Sequence, residues 1–238
     1  MLRFLCCTDT HGETPPPGDE RNATAWLHAG DICNAGASIH GGLQIKRLAN
    51  WTSRRTIPAY AVQGNHDCGF GSEKLGRFAK DVTGKVVNIA PHLFLAGIGW
   101  SGAKFFDVPD ENALEPVCQQ VVSQAKLQLA ANDRCILLTH YPPRISALEH
   151  KGEGQDYTFQ CVKNVVDELK PLAVVYGHIH SRFNSEDIYE TDRRRVLIVN
   201  PGLDGGELSI DIGTGETIYR QWLGGSIELR FASESKKR

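Results

Sequence analysis

The sequence predicts an α/β fold with mixed β-sheets, and two patterns support this prediction. Over the first three-quarters of the 238 residues, short apolar runs of strand length alternate with amphipathic helical stretches. After Gly177 the pattern changes to short strands separated by turn residues such as Asn184-Ser185 and Asp204-Gly205-Gly206, which favours antiparallel hairpins. Several runs are apolar enough to be buried on both faces, as parallel strands covered by helices are.

The positions of the elements follow from the spacing of apolar residues. Strands are expected at 2–7, 25–29, 59–62, 93–98, 135–139, 172–176, 196–199 and 208–212. Helices are expected at 38–53, 116–131 and 159–169, where apolar residues recur at intervals of three and four. Pro116 suits the first turn of the second helix, and Thr158 suits the N-cap of the third, which Pro171 follows.

Length and composition predict a single domain, residues 1–238, with a loose tail at 232–238. Lys and Arg number 26 against 28 Asp and Glu, so the net charge of −2 lacks the positive field that attracts a nucleic-acid polymer. The basic stretches at 193–195 and 235–238 are expected to be a solvated turn and a loose terminus. We therefore expect no stable nucleic-acid partner.

Cysteine usage and hydropathy bear on the compartment. The seven cysteines are odd in number and form no Cys-X-X-Cys pair, which predicts a reduced environment. No segment approaches the roughly 18 apolar residues of a membrane span, and the apolar start of the chain is too short for a signal peptide. A cytoplasmic protein without a membrane partner is the expectation.

Five short polar motifs follow apolar runs along the chain and contain five of its nine histidines. They are Asp9-Thr10-His11, Gly30-Asp31, Gly64-Asn65-His66-Asp67, His140 and Gly177-His178-Ile179-His180. Each motif alone has a structural interpretation: a turn with a capping aspartate, an Asx-turn, or a structural histidine at a strand end. Their recurrence at the ends of buried strands favours one composite functional site.

Carboxylate, amide and imidazole groups together are the ligands that borderline metal ions take in phosphoester-cleaving sites. Two cations roughly 3.5–4 Å apart can share a bridging carboxylate and hold the phosphoryl oxygens between them. Such a centre needs about seven ligands and an acid, and the five motifs contain these residue types. The sequence therefore predicts a two-metal hydrolytic site.

The ordered set Asp-X-His, Gly-Asp, Gly-Asn-His-Asp, His and Gly-His-X-His, between positions 9 and 180, resembles the calcineurin-like metallophosphoesterase superfamily. The resemblance implies a four-layer α-β-β-α sandwich with two mixed β-sheets and with ligands on loops at the sheet edges. It also implies two divalent or trivalent metal ions, and Mn, Fe or Zn would suit these donors. The implied ligands are Asp9, His11 and His180 for one ion, Asn65, His140 and His178 for the other, and Asp31 as the bridge.

The same resemblance makes His66 an outer-sphere catalytic residue. A metal-activated water would attack phosphorus in line, and His66 would stabilise the transition state or protonate the leaving oxygen. We expect the adjacent Asp67 to hold the imidazole of His66 in place. Because no ligand type is lost, a non-catalytic protein-binding scaffold is the weaker interpretation.

The second and third motifs bear on the substrate class. Phosphoprotein phosphatases that resemble calcineurin continue them as Gly-Asp-X-X-Asp-Arg-Gly and Gly-Asn-His-Glu, whereas this chain has Asn34-Ala35-Gly36 and Asp67. The absent arginine favours a small bacterial-type phosphodiesterase acting on small phosphodiester or nucleotide substrates, and Asn200-Pro201-Gly202 is similar to a strand end in such enzymes. A serine/threonine-type protein phosphatase or a phosphomonoesterase is the alternative.

Two irregular stretches, 99–112 and 142–157, are expected to form the rim of a cleft. Arg144 is a candidate for binding substrate phosphate. Four aromatic residues could stack on a substrate ring, although packing is the more common role of such side chains. They are Phe70, Trp100, Phe105 and Phe106. The histidines outside the motifs are expected to be structural or exposed: His28, His40, His92 and His150.

Overall fold

The computed structural model describes residues 1–15, 18–34, 41–68, 76, 78–102, 108–148, 157–192, 194–222 and 229–231. In these ranges the strands are β1 (Leu2–Cys7), β2 (Ala25–His28), β3 (Ala59–Ala61), β4 (Lys80–Asp81), β5 (Val86–Ala90), β6 (Leu93–Ile98), β7 (Arg134–Thr139), β8 (Ala173–Val175), β9 (Ser185–Glu190), β10 (Arg195–Asn200), β11 (Gly206–Ile210), β12 (Thr217–Gln221) and β13 (Leu229–Phe231). The helices are α1 (Gly41–Arg54), α2 (Glu111–Gln128) and α3 (Gln160–Leu169).

The strands form two mixed sheets, as the sequence predicts. The first sheet has the order β13-β12-β11-β1-β2-β3-β4, and the second has the order β5-β6-β7-β8-β10-β9. In the first sheet the parallel strands β1 to β4 form one side and end at the edge strand β4, whereas in the second sheet the parallel strands β6, β7, β8 and β10 form the middle. Antiparallel strands adjoin the parallel region on one side in the first sheet and on both sides in the second.

Three separate apolar cores define four layers. Alternate residues of β1 enter different cores: Phe4 lies between the two sheets, whereas Leu5 packs on the outer face with Leu48 of α1. In β7, Leu138 also lies between the sheets, while Leu137 packs outward with residues of α2 and α3. The predicted α-β-β-α sandwich is therefore confirmed.

The second helix begins earlier than expected. Asp110 caps it by accepting the backbone N–H of Ala113 at 2.8 Å, and the helix starts at Glu111. Pro116 consequently lies inside the helix instead of in its first turn, and the helix ends at Gln128. The predicted start at Pro116 is wrong because the N-cap residue, Asp110, lies six residues before the proline.

The third helix agrees with the sequence prediction except at its cap. Phe159, and not Thr158, occupies the N-cap position and provides no side-chain hydrogen bond. The carboxylate of Glu111 instead accepts the N–H groups of Gln160 and Cys161, at 2.6 and 3.0 Å. A tertiary contact between two helices thus takes the place of a local cap, and a sequence pattern cannot show this.

The topology places the polar motifs at one edge of the molecule. Three of them follow β1, β2 and β3 of the first sheet, and the other two follow β7 and β8 of the second. Because parallel strands end at the same edge, the loops within each sheet are neighbours. Hydrogen bonds from Asp9 N to Gly30 O (3.0 Å) and from Gly177 N to His140 O (3.2 Å) join loops of one sheet. Among the described residues, no helix has the length and apolarity that crossing a lipid bilayer requires.

The outer face of the first sheet provides a test of the layer assignment. Leu48 of α1 is 1% exposed, and its replacement by alanine should lower the free energy of unfolding by about 2–5 kcal/mol because a cavity remains. Leu127 of α2 is 87% exposed, and Leu127→Ala should change the free energy by less than about 0.5 kcal/mol. Urea unfolding followed by circular dichroism measures both. Equal effects would contradict the burial of α1.

Candidate metal centre

The backbone at the strand ends is in an unusual conformation. Asp9, His11, Asp31 and His178 have positive φ angles of 53°, 48°, 52° and 70°. Non-glycine residues rarely adopt this left-handed region, and Asp and His tolerate it better than most. Each such residue costs of the order of 1 kcal/mol or more, so surrounding contacts must hold it. One such contact runs from His11 N to Asp31 O at 3.0 Å.

Three glycines of the motifs lie where a larger residue would collide with a polar side chain. A Cβ at Gly30 would lie 2.6 Å from Nδ1 of His140. A Cβ at Gly177 would lie 2.6 Å from Oδ2 of Asp9, and one at Gly64 would overlap the carboxylate of Asp31. The glycines therefore allow the backbone to approach the polar groups closely, which is the physical reason for their place in the motifs.

One set of donor atoms consists of Asn65, His140 and His178. Oδ1 of Asn65 lies 3.1 Å from Nε2 of His140 and 3.0 Å from Nδ1 of His178. His140 is fully buried, and its Nδ1 donates to the carbonyl of Ala29 at 2.8 Å. That hydrogen bond orients the ring so that Nε2 faces the other two donors, as second-shell carbonyls do for metal-binding histidines.

A second set consists of Asp9, His11 and His180. Nε2 of His180 lies 3.3 Å from Oδ1 of Asp9 and 3.4 Å from Nε2 of His11. Asp9 is buried, and its Oδ2 accepts a hydrogen bond from the hydroxyl of Thr8 at 2.7 Å. The backbone N–H of His178 donates to both carboxylate oxygens at 3.1–3.2 Å. These contacts fix the orientation of the carboxylate.

Asp31 lies between the two sets. Its Oδ1 is 3.4 Å from Nε2 of His140, and its Oδ2 is 3.9 Å from Nε2 of His66. Asp31, His140 and Asp9 each have a potential ligand atom within 4.8 Å of the others. The same is true of Asp31, His66 and His11. The backbone N–H of His66 donates to Oδ1 at 2.8 Å. Asp31 thus lies close to potential ligand atoms of both sets.

The spacing of these atoms fits metal coordination. Ligand atoms about 2.1 Å from a common ion and at right angles to each other are about 3.0 Å apart, close to the separations within each set. Two imidazole nitrogens facing each other at 3.4 Å, as in His11 and His180, need a proton or a cation between them. The donor set therefore fits two cations.

Electrostatics point the same way. Burial alone would raise the pKa of Asp31, but the charge of His140 and its hydrogen bond hold that pKa well below the ordinary value. Burial would lower the pKa of His140, yet the carboxylates of Asp31 and Asp9 raise it to about 9. Burial and the charge of His140 lower the pKa of His178 to about 3. The carboxylates therefore stabilise a positive charge at this position, and a metal ion bound there would compete with a proton for His140.

The structure corrects the expected role of Asp67. The residue is fully buried in the 3-10 turn Asn65–Asp67. Its two carboxylate oxygens accept the backbone N–H groups of Cys33 (2.8 Å) and Gly64 (2.9 Å). Burial and the charge of Asp31 raise its pKa to about 7 against these hydrogen bonds. Asp67 therefore joins the loop after β2 to the turn after β3. The side chain of the adjacent His66 contacts Asn34 instead of Asp67.

Asn34 contacts the imidazole of His66 where Asp67 was expected to do so. Its Oδ1 lies 3.2 Å from Nδ1 of His66. With the amide oxygen facing the ring, Nδ1 carries a proton and Nε2 is directed toward Asp31. Sequence reasoning singled out Asn34 only as a departure from a phosphatase motif. The contact spans 32 residues, and no local pattern reveals it.

Arg144 has protein partners in the structure. Its Nη2 donates to the carbonyl of Thr158 at 2.9 Å, and its guanidinium lies 3.6 Å from Glu111. These contacts explain its position without a bound phosphate. Trp100 packs against the outer core of the second sheet, and its carbonyl accepts the hydroxyl of Tyr141 at 2.8 Å. The other three aromatic candidates, at positions 70, 105 and 106, lie outside the described residues.

Several supporting residues were missed by sequence reasoning. Thr8 orients Asp9, as described above. Asn200 is fully buried; its amide donates to the carbonyl of Ile179 at 3.3 Å, and its Oδ1 accepts the N–H of Gly202 at 3.0 Å. It therefore joins the end of β10 to the loop that carries His178 and His180. The sequence pattern Asn200-Pro201-Gly202 is similar to a strand end in related enzymes, but it does not show which loop Asn200 contacts.

The shared position of Asp31 generates a test. Asp31→Asn should weaken the binding of both ions together, by at least about tenfold, because both sets lose the same charge. His180→Ala removes a donor from one set and should lower the content of one ion per chain. Elemental analysis after dialysis of metal-loaded protein measures both. Loss of only one ion from Asp31→Asn would contradict a shared carboxylate.

A family comparison covers the part of the chain that holds the five motifs. The model of the calcineurin-like phosphoesterase family matches residues 2–182, which include all five motifs. One solved crystal structure has 12% sequence identity and a TM-score of 0.60, and the match covers 92% of this chain and 98% of that one. No curated protein matches the chain.

A second solved structure is sulfate thiohydrolase SoxB from Thermus thermophilus in complex with glycerol. It has 14% identity and a TM-score of 0.49, and the match covers 98% of this chain but only 56% of SoxB. At 12% identity, the first structural match concerns the fold alone. The family match, which spans more than half of the chain, is decisive: the chain belongs to the calcineurin-like phosphoesterase family and is a metal-dependent phosphoesterase.

Proposed function

We propose that the chain is a dinuclear-metal phosphodiesterase that hydrolyses small phosphodiester or nucleotide substrates. The observation that supports it most is the position of Asp31 between two sets of donor atoms. In this proposal one ion is held by Asp9, His11 and His180, the other by Asn65, His140 and His178, and Asp31 bridges them. Manganese, iron and zinc all suit such mixed oxygen and nitrogen ligands.

The ions would supply Lewis-acid polarisation of the phosphoryl oxygens and would acidify a water molecule. The protein's own residues then position the remaining groups. His66 lies at the edge of the centre with its side chain 18% exposed, so that a substrate oxygen can approach it. Asn34 accepts the proton on Nδ1 of His66, so Nε2 is the ring atom that would face a leaving oxygen, and it can protonate that oxygen when the ring also carries a proton on Nε2.

The charge of the site favours a diester over a monoester. A phosphate monoester carries up to two negative charges near neutral pH, whereas a diester carries one. Asn34 and Ala35 stand where the phosphoprotein phosphatases have aspartate and arginine, so that cation is missing from the motif. Arg144 and Arg182 both donate to backbone carbonyls, those of Thr158 and Ala147. A substrate with one negative charge needs fewer cationic side chains to compensate its charge than a substrate with two.

A kinetic panel tests the substrate class. We expect kcat/KM for methyl p-nitrophenyl phosphate, a diester, to exceed that for p-nitrophenyl phosphate, a monoester with the same leaving group. The panel is measured with manganese-, iron- and zinc-loaded protein. The reverse ratio, or activity on phosphopeptides only, would favour the phosphomonoesterase or protein phosphatase. Absence of turnover with every metal would support the protein-binding scaffold.

The role of His66 generates a second test. His66→Ala should leave the metal content near that of the wild type, because His66 is outside the proposed ligand sets. Turnover should fall by roughly 10²- to 10⁴-fold on diesters with poor leaving groups, and much less on p-nitrophenyl esters, whose leaving oxygen needs little protonation. His92→Ala, which removes an exposed histidine paired with Asp133, is the control. Equal losses on both substrates would contradict the acid role.

A further inference from the structure

An exposed aromatic ring lies directly beside the metal centre. Tyr157 is 39% exposed, and its ring centroid is 5.3 Å from that of His178, with the planes at 79°. His178 belongs to the donor set with Asn65 and His140. Only three other large apolar residues within the described ranges are exposed to a comparable or greater degree: Met1, Leu127 and Leu203. Tyr157 therefore combines exposure with direct contact to a proposed ligand.

The segment that carries Tyr157 is held firmly on its carboxyl-terminal side. Phe159 N donates to the carbonyl of Pro142, and Arg144 N donates to the carbonyl of Phe159, at 2.9 and 3.0 Å. The side chain of Arg144 also donates to the carbonyl of Thr158 at 2.9 Å. The loop after His140 thus fixes the chain immediately beyond Tyr157.

A second tyrosine shows that packing of His178 does not require Tyr157. Tyr141 is fully buried, and its ring centroid lies 5.2 Å from that of His178. Its hydroxyl is bonded to the carbonyl of Trp100. Tyr141 therefore supports His178 from within the core, and Tyr157 contacts the same ring while keeping much of its surface in solvent.

Exposed aromatic residues are common on protein surfaces and carry no meaning by themselves. Here the ring is beside the centre where a phosphoryl group would bind, and its backbone is anchored. An aromatic face in such a position stacks on flat rings of any identity, because the interaction depends on the π-face and on the apolar area covered.

We infer that Tyr157 is a specificity-determining residue that stacks on a flat ring, a nucleobase or an aryl group, in the organic part of the substrate. This inference rests on the proposed function and narrows its substrate class to esters that carry such a ring. In this inference Arg144 is a positioning residue, because its hydrogen bond to the carbonyl of Thr158 holds the segment that carries Tyr157.

Two phosphonates that differ only in the organic group test this inference. Phenylphosphonate and methylphosphonate are titrated into metal-loaded protein by calorimetry, and both should bind through the same phosphonate head. We expect the wild type to bind phenylphosphonate roughly tenfold more tightly, in line with the stacking of one ring. Tyr157→Ala should abolish this preference, and Tyr157→Phe should retain it.

Controls separate stacking from damage to the centre. Leu127→Ala removes an exposed apolar side chain from α2 and should leave both affinities unchanged. Metal content of every variant is measured by elemental analysis, and methylphosphonate affinity should stay at the wild-type value in Tyr157→Ala. A fall in both affinities together would overturn the inference, because it would indicate support of His178 instead of stacking.

The failure of this inference is distinguishable from failure of the proposed function. If the wild type hydrolyses p-nitrophenyl diesters but Tyr157→Ala keeps the preference for phenylphosphonate, the stacking role is wrong and the phosphodiesterase proposal stands. If the wild type neither hydrolyses the esters nor binds either phosphonate, both are wrong. The stacking role is supported if Tyr157→Ala loses the preference for phenylphosphonate while Tyr157→Phe retains it.

Discussion

Two desolvated carboxylates, those of Asp9 and Asp31, impose the main constraint on this structure. Both are about 1% exposed, and an unpaired buried charge costs several kcal/mol. Imidazole groups of His140 and His180 lie against them, with Nε2 of each ring 3.4 and 3.3 Å from a carboxylate oxygen. Metal ions would compensate them more completely, because an ion can contact several donors at once. The same electrostatic demand therefore couples stability of this edge of the fold to the capacity for binding cations.

Contact between the buried carboxylates and the imidazoles also constrains the backbone. Carboxylates can be crowded against imidazoles only if the neighbouring loops approach each other closely, and Gly30, Gly64 and Gly177 provide the space. Left-handed conformations at Asp9 and Asp31 turn the chain sharply after each strand. The conformational cost is offset by hydrogen bonds between loops, including the one that Asp67 accepts from Cys33. The loops with left-handed residues are therefore joined to one another by hydrogen bonds.

A second network connects the outer helices to the rim of the centre. Glu111 of α2 caps α3 and lies beside Arg144, which in turn binds the segment after Tyr157. The position of Tyr157 thus depends on the packing of two helices against the second sheet. Specificity of the proposed enzyme would be set by this outer layer, while the chemistry resides where the two sheets meet.

Much of the fold could be predicted because strands and helices leave local signals. The alternation that puts Phe4 in one core and Leu5 in another is a property of any strand, and the parallel order brings the five motifs to one edge. Elements that lack such signals were missed: β5, β9 and β12 carry polar residues within short runs. The sequence prediction placed the start of α2 at Pro116, because proline is common in a first helical turn, whereas Asp110 is the actual N-cap.

By itself, the sequence determined which chemical groups are available and that they follow buried strands, since residue type and hydrophobic period are local properties. Only the tertiary structure decided how those groups pair. Asn34 faces His66, Asp67 binds backbone N–H groups, and Arg144 braces the segment of Tyr157. Each of these pairings joins loops or segments that are brought together by the packing of sheets and helices, and the partner of a side chain at such a junction depends on the whole fold.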